Sequence, residues 1–154
     1  VKRLSFPFHN YWFNVSWVKE TIEASNFSLT PEYEIFSGKD RDPLAIKIVL
    51  ELERYLQKGQ FDSNSFKLNL DIYPSFFRKV LSELRSLRPG EVITYGELAK
   101  RVGNPQAARA VGQAMKKNQH LLFIPCHRVV GNRGLGGWSG PQGLKEFLLL
   151  LERH

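Results

Sequence analysis

One stretch of this 154-residue chain has the makings of nucleophilic chemistry: Ile124-Pro125-Cys126-His127-Arg128-Val129, which holds the only cysteine, with a histidine beside it. A thiolate attacks far better than a thiol and needs a neighbouring base or cation to form, so Cys126 and His127 are a candidate nucleophile and base. A lone cysteine is more often a small buried hydrophobe, and the flanking sequence separates the two readings. The apolar run Leu121-Leu122-Phe123-Ile124 stops at Pro125, which can neither donate to a ladder nor continue one, so the thiol falls at the end of a buried extended segment. The segment from Gly131 to Gly140 is rich in glycine, which lets backbone N–H groups approach a ligand closely. Together they have the layout of a pocket with a thiol at its edge.

The elements that must position this stretch can be read in chain order. Phe6, Phe8, Tyr11, Trp12, Phe13 and Trp17 crowd the first residues, which reads as short strands with a helix around Val18 to Ser25, followed by a turn at Thr30-Pro31. Asp42-Pro43 caps a helix whose Leu44, Ile48, Leu52 and Leu56 recur at helical spacing up to Lys58-Gly59. Gln60 to Tyr73 is a connector with extended character in Phe66 to Leu70. Ser75 reads as the N-cap of a second helix that carries Phe76, Phe77, Val80, Leu81, Leu84 and Leu87 and ends at Pro89-Gly90. Thr94 caps a short helix from Tyr95 to Val102, Gly103-Asn104 turns the chain, and Pro105 opens a further helix to about Lys116, the outline of a helix-turn-helix. That helix carries Ala107, Ala108, Ala110, Gly112 and Ala114, with Arg109 as its one long cation in the first turns. Small side chains suit close approach to a backbone or a minor groove better than readout of the major groove. A last helix runs from Leu144 to Arg153, with Glu152 at its end, where the helix dipole disfavours a carboxylate, so that Glu152 is either a surface acid or placed for a partner.

Charge points to the partner. The chain has net charge +7, and the excess is confined to one half: residues 1–75 carry 9 Lys and Arg against 10 Asp and Glu, residues 76–154 carry 13 against 5. A basic half favours a polyanion. One cysteine excludes an internal disulfide, and with four scattered histidines it argues against a structural metal site. No apolar run approaches the roughly 20 residues of a membrane span, and no signal-peptide pattern opens the chain, so a soluble protein of a reducing compartment is expected, cytoplasmic or, in a eukaryote, nuclear.

The hexapeptide around Cys126, the upstream run Gly103-Asn104-Pro105-Gln106-Ala107-Ala108-Arg109-Ala110-Val111-Gly112 and the downstream Trp138-Ser139-Gly140 together resemble the O6-alkylguanine-DNA alkyltransferases, over Ser75 to Glu152. The resemblance implies an α+β protein with an N-terminal α/β, ribonuclease-H-like domain in residues 1–70 and a mainly helical DNA-binding and alkyl-transfer domain in residues 71–154. It implies suicide repair: transfer of an alkyl group from O6 of guanine, and from O4 of thymine, to Cys126 in double-stranded DNA bound through the minor groove, by a monomer that needs no cofactor. In this reading Glu152 orients His127, a water lies between His127 and the thiol, and Asn118 holds the loop before the cysteine. Tyr95 crowds the phosphate and donates to the extruded guanine, and Arg109 fills the stack that the base has left. Thr94, Ala107, Ala108, Gln113 and Arg128 are further DNA contacts by the same resemblance. Val129, Trp138, Ser139 and Gly140 line the substrate pocket, with the carbonyls of Cys126 and Val129 accepting the guanine amine.

Two positions depart from the family pattern, Trp138 where tyrosine is common and Leu121 where some members carry proline. They bear on pocket width; the open glycine run with Gly140 leads to the expectation that alkyl groups larger than methyl are admitted. Two other readings remain: a Cys-His-Glu acyl hydrolase, whose thioester would turn over, and a DNA-binding module without chemistry.

Overall fold

The structure, a computed structural model, describes residues 1–153. Three strands, β1 (Lys2–Phe8), β2 (Tyr11–Val18) and β3 (Thr21–Ser28), form an antiparallel meander, and a short β4 (Lys67–Leu68) pairs parallel to β3. The stretch expected as a helix around Val18 to Ser25 is therefore a tight turn and strand β3. Its helix-tolerant Glu23-Ala24-Ser25 is overridden by the ladder to β2, which runs from Trp12↔Ser28 to Val18↔Thr21 with one register shift that leaves Glu23 unpaired. Both hairpin turns use non-glycine residues in the left-handed region, His9 at φ 56° and Lys19 at φ 55°.

Leu4, Phe8, Phe13, Val15, Trp17 and Ile22 of the meander are buried, and helix α1 (Pro43–Lys58) contributes Ala45, Ile48, Val49, Leu52 and Tyr55 to the same core. The helix has the sequence-expected bounds because all its signals are local. Asp42 accepts from the N–H groups of Leu44 and Ala45, and Gly59, at φ 67°, donates its N–H to the Tyr55 carbonyl.

The second half is helical. Helix α2 (Ser75–Leu84) starts one residue earlier than expected, with Pro74 and not Ser75 at the cap, and it ends short of Pro89-Gly90. A short β5 (Ile93–Thr94) leads through a capping box, Thr94 with Glu97, into α3 (Tyr95–Arg101). Next comes α4 (Ala108–Lys116), which begins after Pro105, since residues 104–107 form a turn closed by the Ala107 N–H on the Asn104 carbonyl. A 3-10 turn, Cys126–Arg128, feeds β6 (Val129–Val130), which lies parallel to β5, and α5 (Leu144–Leu151) closes the chain with Glu152 as its C-cap. The fold is thus mixed α+β, with five helices and two small sheets among the described residues. Among the described residues no helix is long and apolar enough to cross a membrane.

A candidate active site around Cys126

The loop that carries the cysteine is held from both sides. Asn118 spans it: its Oδ1 accepts from the His120 N–H at 2.9 Å and its Nδ2 donates to the Ile124 carbonyl at 3.1 Å. Strand β3 grips the same loop, with Ser25 exchanging backbone hydrogen bonds with Gln119 and Leu121 and donating its hydroxyl to the Leu121 carbonyl at 2.7 Å. Between these anchors Leu122 adopts φ 75°, a conformation that a branched side chain holds only when its surroundings over-determine it. The apolar run before Pro125 is entirely buried, which delivers Cys126 to the interior end of the segment.

Cys126, His127 and Glu152 are all buried. His127 Nε2 faces Glu152 Oε2 at 2.7 Å; a carboxylate only accepts, so Nε2 carries the proton and Nδ1 keeps its lone pair. Nδ1 is buried and has no hydrogen-bond partner in the protein. Burial lowers the proton affinity of His127, against the opposing pull of the Glu152 carboxylate. Burial also pushes the Cys126 thiol up, while the Asn118 and Ser139 side chains and the charge of Lys145 work the other way. Burial would raise Glu152 too, but His127 and Arg128 more than reverse it and hold the carboxyl well below the usual range. At neutral pH the resting site is therefore a neutral thiol beside a neutral imidazole, backed by a carboxylate. The Ser139 hydroxyl lies 4.0 Å from Sγ and donates to the Asn118 carbonyl at 3.3 Å.

Arg128 corrects an expectation. It is 4% exposed, its Nε and Nη2 donate to Glu152 at 2.8 and 3.0 Å, and its Nη1 donates to the Leu87 carbonyl at 2.8 Å. With its guanidinium consumed inside the protein, it is the counter-ion of Glu152 and not a DNA contact. Two buried residues escaped sequence reading. Tyr55 of α1 donates its hydroxyl to Glu152 Oε2 at 2.5 Å. Lys145 of α5 donates to the carbonyls of Val129 and Gly137 at 2.7 and 3.1 Å, and burial brings its pKa down to about 8. In the sequence Tyr55 stands beside the apolar stripe of α1 and Lys145 next to Leu144 at the start of α5, and nothing local marks either.

The other residues singled out gather on one side. Tyr95, Ala108, Arg109, Gln113, Gly112, Lys116 and Gly137 line a groove of about 410 Å3. Arg109 and Gln113 are exposed, Ala107 stands at the N-cap of α4, and Thr94 caps α3. The Tyr95 hydroxyl donates to the Gly137 carbonyl at 3.0 Å, and Gly136, at φ 70°, passes so close that a Cβ there would lie 2.7 Å from that hydroxyl. The Val129 carbonyl already accepts from Lys145, and the Cys126 carbonyl from the Val129 N–H, each with one lone pair left. Trp138 donates its indole N–H to the Pro141 carbonyl and lays its ring on Gly140, where any Cβ would collide with it. The open space expected at Gly140 is thus taken by tryptophan. Among the described residues, no three His, Cys, Asp or Glu side chains converge as a metal site would need.

Comparison with known proteins agrees with this geometry. Residues 75–154 match the family model described as the DNA-binding domain of 6-O-methylguanine DNA methyltransferase. Methylated-DNA–protein-cysteine methyltransferases from Metallosphaera sedula (45% identity over 66% of this chain), Haemophilus influenzae (40% over 86%) and Mycobacterium leprae (36% over 92%) are similar to it. The chain spans 64, 72 and 79% of their respective lengths. Among solved structures, the Mycobacterium tuberculosis OGT in complex with DNA superposes with a TM-score of 0.80 at 30% identity, covering 99% of this chain and 93% of that one. The O6-methylguanine-DNA methyltransferase of Pyrococcus kodakaraensis does so with 0.74 at 25%, covering 98 and 99%. On the family match, the length of the aligned relatives and the shared fold, the chain belongs to the 6-O-methylguanine DNA methyltransferase family.

Proposed function

We propose that this protein repairs alkylated double-stranded DNA by moving an alkyl group from O6 of guanine, and from O4 of thymine, to Sγ of Cys126, once per molecule. The observation that carries the reading is the buried relay: Glu152 fixes Nε2–H of His127, the residue that follows the only cysteine, and Nδ1 is left with a lone pair and no hydrogen-bond partner among the described residues. The thiol proton passes to Nδ1, through a water as the family resemblance implies, as Sγ attacks the alkyl carbon. The C–O6 bond breaks, its electron pair stays on the guanine, and a proton from the Tyr95 phenol completes a neutral leaving base, the proton that the thiol gave to His127 restoring the phenol. Because burial keeps both Cys126 and His127 neutral at rest, the proton moves with the attack and no standing thiolate is needed.

Tyr95 and Ser139 are the groups that meet the charge developing on the leaving guanine. Burial raises the Tyr95 phenol, so it remains a donor at neutral pH. Arg109, exposed at the start of α4 beside the Tyr95 groove, is placed to fill the stack left by an extruded base, offsetting part of the few kcal/mol that extrusion costs. The α3-turn-α4 pair supports the helix-turn-helix reading, and its small-sided second helix suits the minor groove. Three antiparallel strands, a fourth parallel to β3 and α1 support a ribonuclease-H-like unit in residues 1–70 ahead of the transfer domain in residues 71–154. A free thiol of this kind suits a monomer in the cytoplasm or, in a eukaryote, the nucleus.

The product thioether resists both water and thiol exchange, and there is no second cysteine. With a duplex carrying labelled O6-methylguanine in excess, transferred label should plateau at one methyl per protein chain. Continued release of label into solution would mean turnover and overturn the reading.

A further inference from the structure

We propose that Tyr55, through the hydrogen bond from its hydroxyl to Oε2 of Glu152, sets how tightly the Glu152 and His127 pair holds a proton, and so makes the N-terminal half a working part of the relay. The proposal rests on the relay described above and adds a positioning residue to it from 97 positions away in the chain.

Tyr55 is fully buried on α1, and its ring lies against Phe8 at 6.1 Å and Phe61 at 5.9 Å. Phenylalanine would fill that volume without the cost of burying a hydroxyl. The hydroxyl has one partner, Oε2 of Glu152. That oxygen also accepts from His127 Nε2 at 2.7 Å and from Arg128 Nη2 at 3.0 Å, while Oε1 takes Arg128 Nε at 2.8 Å and the Gly90 N–H at 3.4 Å. Donors that share one oxygen share its electron density, so each weakens the hold of the others. Apart from His127 itself, Tyr55 is the one neutral side-chain donor in the set, and it draws on the same oxygen that faces His127.

The groups around His127 fix the sign of the effect. Cys126 and Arg128 flank it on the 3-10 turn, Lys145 and Glu152 face it from α5 and its cap, and the Trp138 ring lies 6.4 Å away from the glycine-rich loop. Arg128, Lys145 and burial oppose an imidazolium; Glu152 alone favours it. Removal of the Tyr55 donor leaves the carboxylate more negative towards His127, so the imidazolium is better held and its pKa rises. The Tyr55 phenol itself stays protonated throughout, since burial and the facing carboxylate push its pKa well above the ordinary value.

Tyr55→Phe keeps the ring and removes only the donor. We would titrate His127 by heteronuclear NMR in the wild type and the variant, and record the pH dependence of alkyl transfer in both. The His127 midpoint should rise by roughly half to one pH unit, and the acid limb of the transfer rate should move up with it. Ile48→Val on the same helix controls for packing: it should lower thermal stability and leave the midpoint where it is. A midpoint that is unmoved or lowered in Tyr55→Phe would make Tyr55 a packing residue and overturn the proposal. Should the wild type transfer no alkyl group, the repair reading fails, and the His127 titration still decides whether Tyr55 governs the pair.

Discussion

His120 and His127 sit at the two ends of the loop that carries Cys126, and they differ in two respects that decide what each can do. Both are fully buried, and in both burial pushes the pKa down. Both hold the same tautomer, since each Nε2 faces an oxygen that only accepts: the Ile22 carbonyl at 3.2 Å for His120, the Glu152 carboxylate at 2.7 Å for His127. At Nδ1 they part. That of His120 is taken by the Tyr73 hydroxyl at 2.6 Å, whereas that of His127 has no partner in the protein. Behind the ring, one has a neutral amide and the other a charge. A histidine satisfied at both nitrogens is a strut; one hydrogen-bonded to a carboxylate and open in front is available as a base.

The sharpest way to break this comparison is to remove each ring in turn. His127→Gln should slow single-turnover alkyl transfer by about 10²–10⁴-fold, the usual worth of a positioned base. His120→Gln should leave the rate within several-fold and instead cost about 1–3 kcal/mol in denaturant unfolding, for the Tyr73 hydroxyl and Ile22 carbonyl left short of a partner. Equal rate losses would erase the distinction.

The next effect concerns what stands behind His127. Glu152→Gln strips the charge from a carboxylate that Arg128 also needs, and a buried guanidinium without its counter-ion costs about 3–5 kcal/mol, read by urea unfolding at neutral pH. In the wild type this carboxylate is depressed when folded, so its contribution is present above the ordinary carboxylate pKa and is lost as pH falls through its folded value. The variant should lack that acid limb.

His120 gives a second, separable pH effect. Its pKa falls from 6.5 to about 4 in the folded protein. Between those values the unfolded chain binds a proton that the folded one refuses, so stability drops as pH falls from 6.5 to about 4, by about 3 kcal/mol. His120→Gln should remove its share of that slope and leave the share of His127, whose pKa burial also lowers. The smallest effect lies outside the loop: Arg109→Ala should slow repair in duplex DNA by roughly tenfold, the worth of ~1.4 kcal/mol of extrusion energy, and spare reaction with the free modified base. Equal losses on both substrates would remove Arg109 from the extrusion step.

How much of this was legible depends on how far each signal reaches along the chain. Helix α1 could be read from end to end because Asp42, Pro43, the apolar stripe and Gly59 are all local to it. The meander could not, since its hairpins turn at His9-Asn10 and Lys19-Glu20 and lack the glycine that usually marks such turns, and the helix expected near Val18 to Ser25 is β3. The pairing of Glu152 with His127, next to Cys126, was visible from motif spacing and resemblance. Arg128 was assigned to DNA by resemblance alone, while the carboxylate that claims it lies 24 residues on. Tyr55 and Lys145 follow helical patterns that give no hint of a buried polar partner on another element, and only the packing of α1 and α5 around the 3-10 turn brings them to the relay.

The most direct test of the whole account is the intact mass of the protein after incubation with a duplex carrying O6-methylguanine, followed by peptide mapping. The account predicts a gain of one methyl group, stoichiometric with protein and located on Cys126. Tight binding with no mass change, or a methyl group on any other residue, would contradict it.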